Sequence, residues 1–440
     1  MKQLNNTSTS FWSKLFDGLL LNVLIRVKGI IYLPILVNYF TKEDIGVLAY
    51  VQSISALLLG LYLLNIPDSS NRVILNFEKG GNRNQVENTI NTVLTFGAFS
   101  LFFVSIIISL FYWFGSDQPS SNFLLILICL CISKVVNKLA IFVFQVFQET
   151  KVLLYSHLFI EYTSFILAII LLFFYKIDNI YFVLIVNILV SLFVSIRLLF
   201  LLSKKIKIKP AFNTKILKKT LKISLFLLPN AYGIILIQNV DFILVKEIAG
   251  IRALGEYSFA FSISSIVTGL SLAISFFWYS AAVYAERRKL ITMLERIIAY
   301  MPLILISVIL FFQFCTLSVV QLINEAYSLT SPTINILVIG LTLNLQLQFL
   351  NGTLYSQKKE KIIFLITSCG VLINLVLNYT LIPTFGYTGA ALATTLSYLT
   401  MAIIQLIAVK ILFKEMSFTR YFINAISLIC ISLFAIQVNF

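Results

Sequence analysis

Long apolar runs follow one another almost from end to end of the chain, separated only by short polar breaks. A helix of about 20 mostly apolar residues is long enough to cross a bilayer. Residues 123–132 are apolar on every face, whereas a transmembrane β-strand alternates apolar and polar side chains. With 59% hydrophobic residues, the 440-residue chain cannot bury its apolar surface in one water-soluble core. We therefore expect an all-α polytopic membrane protein.

The polar breaks predict twelve core transmembrane helices and a possible thirteenth segment. The helices are expected at about 15–40, 44–66, 87–114, 121–148, 152–175, 179–203, 216–246, 254–282, 293–323, 330–356, 361–383, 387–413 and 418–437. A lysine-rich linker, 204–222, runs into the seventh helix and separates two six-helix lobes, 1–203 and 216–414. Residues 415–440 form an extra C-terminal hydrophobic segment, which spans the membrane, lies in its interface or is the remnant of a hairpin.

The net charge of +15 comes from lysines and arginines spread over short loops. Most of them fall on the side that holds the N-terminus, which predicts a cytoplasmic N-terminus by the positive-inside rule and argues against nucleic acid as the partner. The five cysteines lie in apolar runs without metal-ligand spacing, and no phosphate-binding loop or nucleophile elbow is present. The sequence therefore predicts a protein that is not an enzyme and has no cofactor, metal site or catalytic residue.

A few ionisable residues lie inside the predicted helices, where each costs at least about 2.5–3.5 kcal/mol unless it is paired. Lys134 and Lys138 are four residues apart on one helix face, and Arg26 reaches a similar depth from the other side of the membrane. Lys28 is a weaker candidate, and Glu161 is the deep carboxylate nearest to them. The excess of positive charge predicts an anionic cargo. The alternative is that these side chains extend to the interface or pair internally.

Amides and one further carboxylate mark the second half of the chain. They are Asn230, Gln238, Asp241, Asn344, Asn374 and Asn378. Such amides either line a polar cavity or hold neighbouring helices together by hydrogen bonds. Coupling to a proton or sodium gradient through Asp241 or Glu161 is a hypothesis that rests on their being carboxylates in or near the membrane.

Residues 374–398, NLVLNYTLIPTFGYTGAALATTLSY, resemble the signature of Wzx-type oligosaccharide flippases, in the polysaccharide-transporter branch of the multidrug/oligosaccharidyl-lipid/polysaccharide (MOP) exporter superfamily. EDIGVLAY and LPNAYGIILIQNVDFILVKEIAGIRALGEYSFA are similar to further patterns of that family. The resemblance implies a MATE-like pair of lobes in a bacterial cytoplasmic membrane. It also implies an undecaprenyl-pyrophosphate-linked repeat unit as cargo, for O-antigen or another surface polysaccharide, and a polymerase and glycosyltransferases as partners.

For such a cargo, Arg26, Lys28, Lys134 and Lys138 are the candidates to bind the pyrophosphate, and the amides are the candidates to bind sugar hydroxyls. A flippase for a peptidoglycan or teichoic-acid lipid precursor is a close alternative, because that cargo also carries a pyrophosphate and a lipid. A drug/cation antiporter would need an acidic cavity, and a membrane-embedded sugar polymerase would need a large external loop; neither feature is evident in the sequence.

Overall fold

The computed structural model describes residues 24, 28–29, 31–79, 82–114, 121–147, 149–175, 179–204, 206–269, 278, 282, 286–416, 430 and 437. The described part of the chain is helical, without a β-strand. The helices are α1 (described over 31–39), α2 (Lys42–Leu63), α3 (Ile66–Lys79), α4 (Arg83–Phe114), α5 (Ser121–Val146), α6 (Thr150–Tyr175), α7 (Tyr181–Ser203), α8 (Thr214–Ala249), α9 (Ile251–Ser264), α10 (Arg287–Ile323), α11 (Ser331–Ser356), α12 (Glu360–Phe385) and α13 (Tyr387–Leu412).

Within the described ranges, nine helical stretches are long and apolar enough to cross a membrane. The lipid-facing character of α4 shows directly, because Phe99, Phe103, Ile106 and Leu110 are all exposed and recur at helical spacing. The expectation of an all-α polytopic membrane protein is confirmed. The thirteenth segment, 418–437, lies outside the described residues apart from two isolated positions.

The chain divides into two compact units. The first contains Met1–Lys28 and Val51–Tyr232, and the second contains Gly29–Tyr50 and Gly233–Phe440. The boundary crosses α2, so the start of that helix belongs to the second unit and the rest of it to the first. The lobe boundaries expected from the sequence remain a prediction.

In the first unit, α5 is the central helix and packs against α3, α4, α6 and α7. In the second unit, α11 has the central position, in contact with α9, α10, α12 and α13. Nearly every residue of α11 from Thr333 to Leu347 is buried. The burial of α11 on every side fits its composition, because a helix that is apolar on all faces has no face suited to water.

One helix differs from the sequence expectation. Residues 67–86 were expected to form a polar loop, but α3 occupies most of them. Leu64 and Asn65 have positive φ values of 46° and 57° and so end α2 and redirect the chain. Val73 and Ile74 of α3 are buried, whereas its charged Arg72 is exposed. A short amphipathic helix of this kind lacks the continuous apolar run by which spanning helices are recognised.

Candidate functional site

The two lysines of α5 have different surroundings. Lys138 Nζ lies 3.0 Å from Asp68 Oδ1, in the first turn of α3. Lys134, near the middle of α5, donates to Ser55 Oγ at 2.5 Å and to the backbone oxygen of Gln52 at 3.4 Å, both on α2. In the described part of the chain, no carboxylate forms an ion pair with Lys134. Of the two lysines expected on one face of α5, Lys138 is therefore neutralised by a carboxylate, whereas Lys134 is hydrogen-bonded to uncharged oxygens.

Helix α6 supplies the carboxylate that was expected near the cations. Glu161 Oε2 lies 2.5 Å from Lys28 Nζ, and the two side chains are 29% and 14% exposed. The neighbouring Tyr162 hydroxyl donates to the backbone oxygen of Leu24 at 3.0 Å, which connects α6 to residue 24. Lys28 is therefore paired, and a buried pair of this kind contributes little net charge. Arg26 lies outside the described residues.

Asp241 is the centre of a second polar cluster, inside the second unit. The residue is 0% exposed, and its carboxylate accepts from three neutral donors. Asn378 Nδ2 donates to Oδ1 at 2.7 Å and Tyr257 OH donates to Oδ2 at 3.0 Å. Thr394 Oγ1 also donates to Oδ2. These groups come from α8, α9, α12 and α13, so one carboxylate fixes four helices.

The cluster extends by one more amide. Asn374 Nδ2 lies 3.3 Å from Thr394 Oγ1, and Asn378 Nδ2 also donates to the Asn374 backbone oxygen at 2.9 Å. Among the residues that the structure describes, no Lys or Arg forms an ion pair with Asp241. Burying a charged carboxylate costs free energy unless other groups stabilise the charge. Around Asp241, the described groups that do so are uncharged hydrogen-bond donors. Such a group can hold either a proton or a small cation surrounded by oxygen ligands.

No described hydrogen bond joins Asn344 or Asn230 to these clusters, whereas Gln238 interacts with Tyr398, which lies near Asp241 and Tyr257. Asn344 is buried in α11, and its Oδ1 has no hydrogen-bond partner among the described residues. Gln238 is half-buried on α8. Asn230 is helical, but its side chain lies outside the described residues.

Four side chains that complete the clusters were missed from the sequence: Ser55, Asp68, Tyr257 and Thr394. Two of them lie in stretches that had already been singled out, since Tyr257 belongs to ALGEYSFA and Thr394 to ALATT. Hydroxyl groups are common in transmembrane helices, where they usually bond to their own backbone, so their type alone gave no signal. Asp68 was placed in a loop because α3 was not anticipated.

Comparison with known proteins places this geometry in context. The family described as "Polysaccharide biosynthesis protein" matches residues 12–281. The uncharacterized membrane protein MJ1068 of Methanocaldococcus jannaschii is 25% identical over 270 residues, which cover 55% of this chain and 50% of that protein. The chain thus matches about half the length of this curated relative.

Three solved structures share the fold at low identity. An inward-facing multidrug resistance MATE family transporter of the MOP superfamily gives a TM-score of 0.69 at 13% identity, over 90% of this chain and 95% of that one. The lipid II flippase MurJ in an inward closed conformation gives 0.66 at 15%, over 96% and 92%. A MOP superfamily transporter from Pyrococcus furiosus gives 0.59 at 15%, over 92% and 95%. With the family match extending over more than half of its length, the chain belongs to the polysaccharide biosynthesis protein family and has the fold of the MATE and MurJ transporters.

Proposed function

We propose that this protein is a flippase that moves an oligosaccharide repeat unit, linked to undecaprenyl pyrophosphate, from the cytoplasmic to the outer leaflet of a bacterial cytoplasmic membrane. The observation that carries the proposal is Lys134, a cation in the middle of α5 whose partners among the described residues are the Ser55 hydroxyl and a backbone oxygen. A lysine held in this way can exchange neutral oxygens for phosphate oxygens, which bind an ammonium group more strongly. The family's description and the fold of a lipid II flippase support the same cargo class.

Within this proposal, the cationic site has a smaller core than the four basic residues expected from sequence. Lys28 and Lys138 each have a carboxylate within hydrogen-bond distance, so a pyrophosphate must compete with Glu161 or Asp68 for them. Lys134 has no such competitor in the described ranges. We assign the first contact with phosphate to Lys134, and Arg26 remains a candidate from sequence.

The test is complementation of a bacterium that lacks its own flippase and carries the sugar-assembly genes that accompany this chain. Surface polymer is quantified for the intact protein, Lys134→Gln and Lys134→Arg at matched membrane abundance. The control variant combines Lys138→Gln with Asp68→Asn, which removes a lysine one turn away together with its carboxylate. We expect Lys134→Gln to lose at least about tenfold in polymer, because a charge-assisted contact to phosphate contributes about 1.5–3 kcal/mol, while Lys134→Arg and the control retain most of it.

The outcomes separate function from site. If the Lys134→Gln protein exports as much polymer as the intact protein, the assignment of Lys134 as the phosphate contact is wrong. The proposal that the protein is a flippase would then still stand. Failure of the intact protein to restore polymer, although it is present in the membrane with its own cargo, would refute the flippase proposal itself.

The Asp241 cluster supports a cation-coupled cycle. We assign the coupling site to Asp241 rather than Glu161, because Glu161 already has Lys28 at 2.5 Å whereas Asp241 has only neutral partners among the described residues. Purified protein in vesicles, with the lipid-linked sugar detected by an external glycosidase, should respond to an imposed sodium or proton gradient. Asp241→Asn should abolish that response, and the double variant Lys28→Gln with Glu161→Gln should keep it. Equal translocation by intact protein with and without both gradients would refute coupling.

A second candidate is a flippase for a peptidoglycan or teichoic-acid lipid precursor. The observation that favours it is the likeness to the lipid II flippase over 96% of this chain. Growth of a strain depleted of its own lipid II flippase, when this protein is expressed, would select the second candidate over the first.

A further inference from the structure

The first turns of α8 carry a stripe of four lysines. Lys215, Lys218, Lys219 and Lys222 are spaced at i, i+3, i+4 and i+7, and all four are exposed. The opposite side of the same turns is fixed, because Thr220 and Ser224 are buried and Ser224 Oγ donates to the backbone oxygen of Leu64. The stripe therefore cannot turn inwards.

The linker before α8 is held in place and adds two more lysines. Asn91 of α4 bonds to it twice, through Nδ2 to the Lys207 oxygen at 3.1 Å and through Oδ1 from the Lys209 nitrogen at 3.3 Å. The Asn213 side chain then caps α8, accepting from the Lys215 and Ile216 nitrogens, both at 3.1 Å. Lys207 and Lys209 are exposed, whereas Ile206 before them is buried. These six lysines, which we call the linker patch, are thus fixed relative to α4 and α8.

An aromatic contact sets the depth of the linker patch. The rings of Phe212 and Phe99 lie 6.4 Å apart in an edge-to-face arrangement, and both side chains are more than half exposed. Phe99 is the first of the exposed apolar residues that continue along α4 through Phe103. Exposed aromatic side chains next to basic ones are typical of the boundary between the hydrocarbon core and the headgroups. The lysines therefore lie at headgroup level.

Among the described side chains, no carboxylate neutralises the charge of the linker patch. No Asp or Glu occurs between residues 204 and 222. In the part of the chain described, no ion pair joins a patch lysine to a carboxylate, and Lys219 instead lies over the Phe77 ring at 5.6 Å. On the neighbouring α4, Glu87 is 3.5 Å from Arg83, so that carboxylate is already engaged. Positive charge at this density attracts anionic lipid at roughly a fivefold gain in binding for each lysine.

We propose that the linker patch is a docking surface for anionic phospholipid headgroups of the leaflet that it faces. Positive charge in a loop serves membrane insertion wherever it lies, but insertion does not require four lysines on one helical face or a linker pinned by side-chain hydrogen bonds. A surface of this kind ties the join between α7 and α8 to the membrane. The proposal does not depend on the cargo of the transporter.

The experiment uses the full-length protein in an uncharged detergent. Its unfolding midpoint is followed while short-chain phosphatidylglycerol, phosphatidylcholine or inorganic pyrophosphate is added. The test variant carries Lys→Gln at 215, 218, 219 and 222. The control variant carries Lys→Gln at 289, 358, 359 and 361, four exposed lysines in the first turns of α10 and α12 and in the loop before α12, so both variants lose the same charge.

We expect phosphatidylglycerol to raise the midpoint of the intact protein and of the control, and phosphatidylcholine to leave both unchanged. The test variant should need at least about tenfold more phosphatidylglycerol for the same rise. A second variant with arginine at the four positions keeps the charge and should respond like the intact protein. If the glutamine variant does not fold, Lys218→Gln with Lys222→Gln replaces it, with a smaller loss.

Three results would overturn the proposal. The first is a full response of the test variant to phosphatidylglycerol. The second is an equal loss of the response in the test and control variants, which would indicate general charge attraction. The third is a rise of the midpoint with pyrophosphate as large as that with phosphatidylglycerol, which would indicate a site for free phosphate groups.

Discussion

Gly255 and Gly46 allow α9 and the start of α2 to approach backbone to backbone within the second unit. A Cβ added at Gly255 would lie 1.9 Å from the Lys42 carbonyl oxygen, and one at Gly46 would lie 2.2 Å from the Ile251 carbonyl oxygen. Backbone atoms cannot rotate away as the end of a side chain can. Gly255→Ala therefore forces α2 and α9 apart by about 1 Å or more, because close-packed atoms do not overlap.

The expected cost follows from two opposing effects. Overpacking a well-packed contact costs about 1–3 kcal/mol, while alanine in place of glycine inside a helix gains about 1 kcal/mol. The separation also strains the ion pair between Lys42 Nζ and Glu256 Oε1, which is 2.6 Å long and largely buried. We expect Gly255→Ala to lower the free energy of unfolding by up to about 2 kcal/mol net.

The assay is thermal unfolding of the purified protein in detergent, with Gly29→Ala as the matched control. Gly29 is helical, and an added Cβ there meets nothing within 4 Å. The control should be neutral or up to about 1 kcal/mol more stable. A Gly255→Ala protein as stable as the Gly29→Ala protein would refute the reasoning that this crossing depends on the absence of a side chain.

Three further predictions use the ion pairs and the Asp241 cluster, and thermal unfolding measures the stability change in each. Reversing either charge of Lys42 and Glu256 alone should cost about 2–3 kcal/mol, because a largely buried charge loses its partner, and reversing both should restore most of the stability. Lys138→Gln should cost less than about 1 kcal/mol, because Lys138 and Asp68 are 32% and 46% exposed. Thr394→Val, which keeps the side-chain shape but removes a donor to the buried Asp241 carboxylate, should cost about 1–3 kcal/mol and weaken any cation dependence of transport. The first prediction is wrong if the double charge reversal does not recover stability. The second is wrong if Lys138→Gln loses much more stability than expected, and the third is wrong if Thr394→Val is as stable as the intact protein.

Hydropathy is a local property, and the features that depend on it were predictable from the sequence. The all-helical membrane class and most helix positions follow from runs of apolar residues. Asn374 and Asn378 are four residues apart and so share one helix face, and both belong to the Asp241 cluster. Their partner on α8 lies 137 residues away from Asn378 in sequence, and no local pattern indicates that contact.

Two of the expected cations have carboxylate partners that the sequence does not reveal, because the partners are distant along the chain. Lys28 and Glu161 are 133 residues apart, and Lys138 and Asp68 are 70 apart, so neither ion pair can be recognised from spacing. Lys134 could be identified as a buried cation, but its solvation by Ser55 depends on how α2 lies against α5. One sequence cannot determine that packing, because many helix pairings bury the same apolar faces.

Residues 44–55, DIGVLAYVQSIS, and 253–264, ALGEYSFAFSIS, are similar to each other, since both contain a Gly, then an aromatic residue, then Ser-Ile-Ser. The structure gives this similarity a physical meaning. Gly46 and Gly255 are corresponding residues of the two segments, and they face each other across one helix crossing. Ser55 and Ser264 also correspond, but Ser55 Oγ accepts from Lys134 whereas Ser264 Oγ donates to the backbone oxygens of Ala260 and Ile334. The two segments thus share the glycine that close backbone packing requires, whereas their corresponding serines have different hydrogen-bond partners.

The polar sites of the two units differ in charge, which suits them to ligands of opposite charge. In the described residues of the first unit, the deep polar site centres on an ammonium group that has no carboxylate, and in the second unit it centres on a carboxylate that has no cation. An anionic cargo and a driving cation need sites of opposite charge, and placing both in one cluster would let them neutralise each other as Lys28 and Glu161 do. Under the proposed function, the location of Lys134 and Asp241 on different units would leave each charge available for its own ligand.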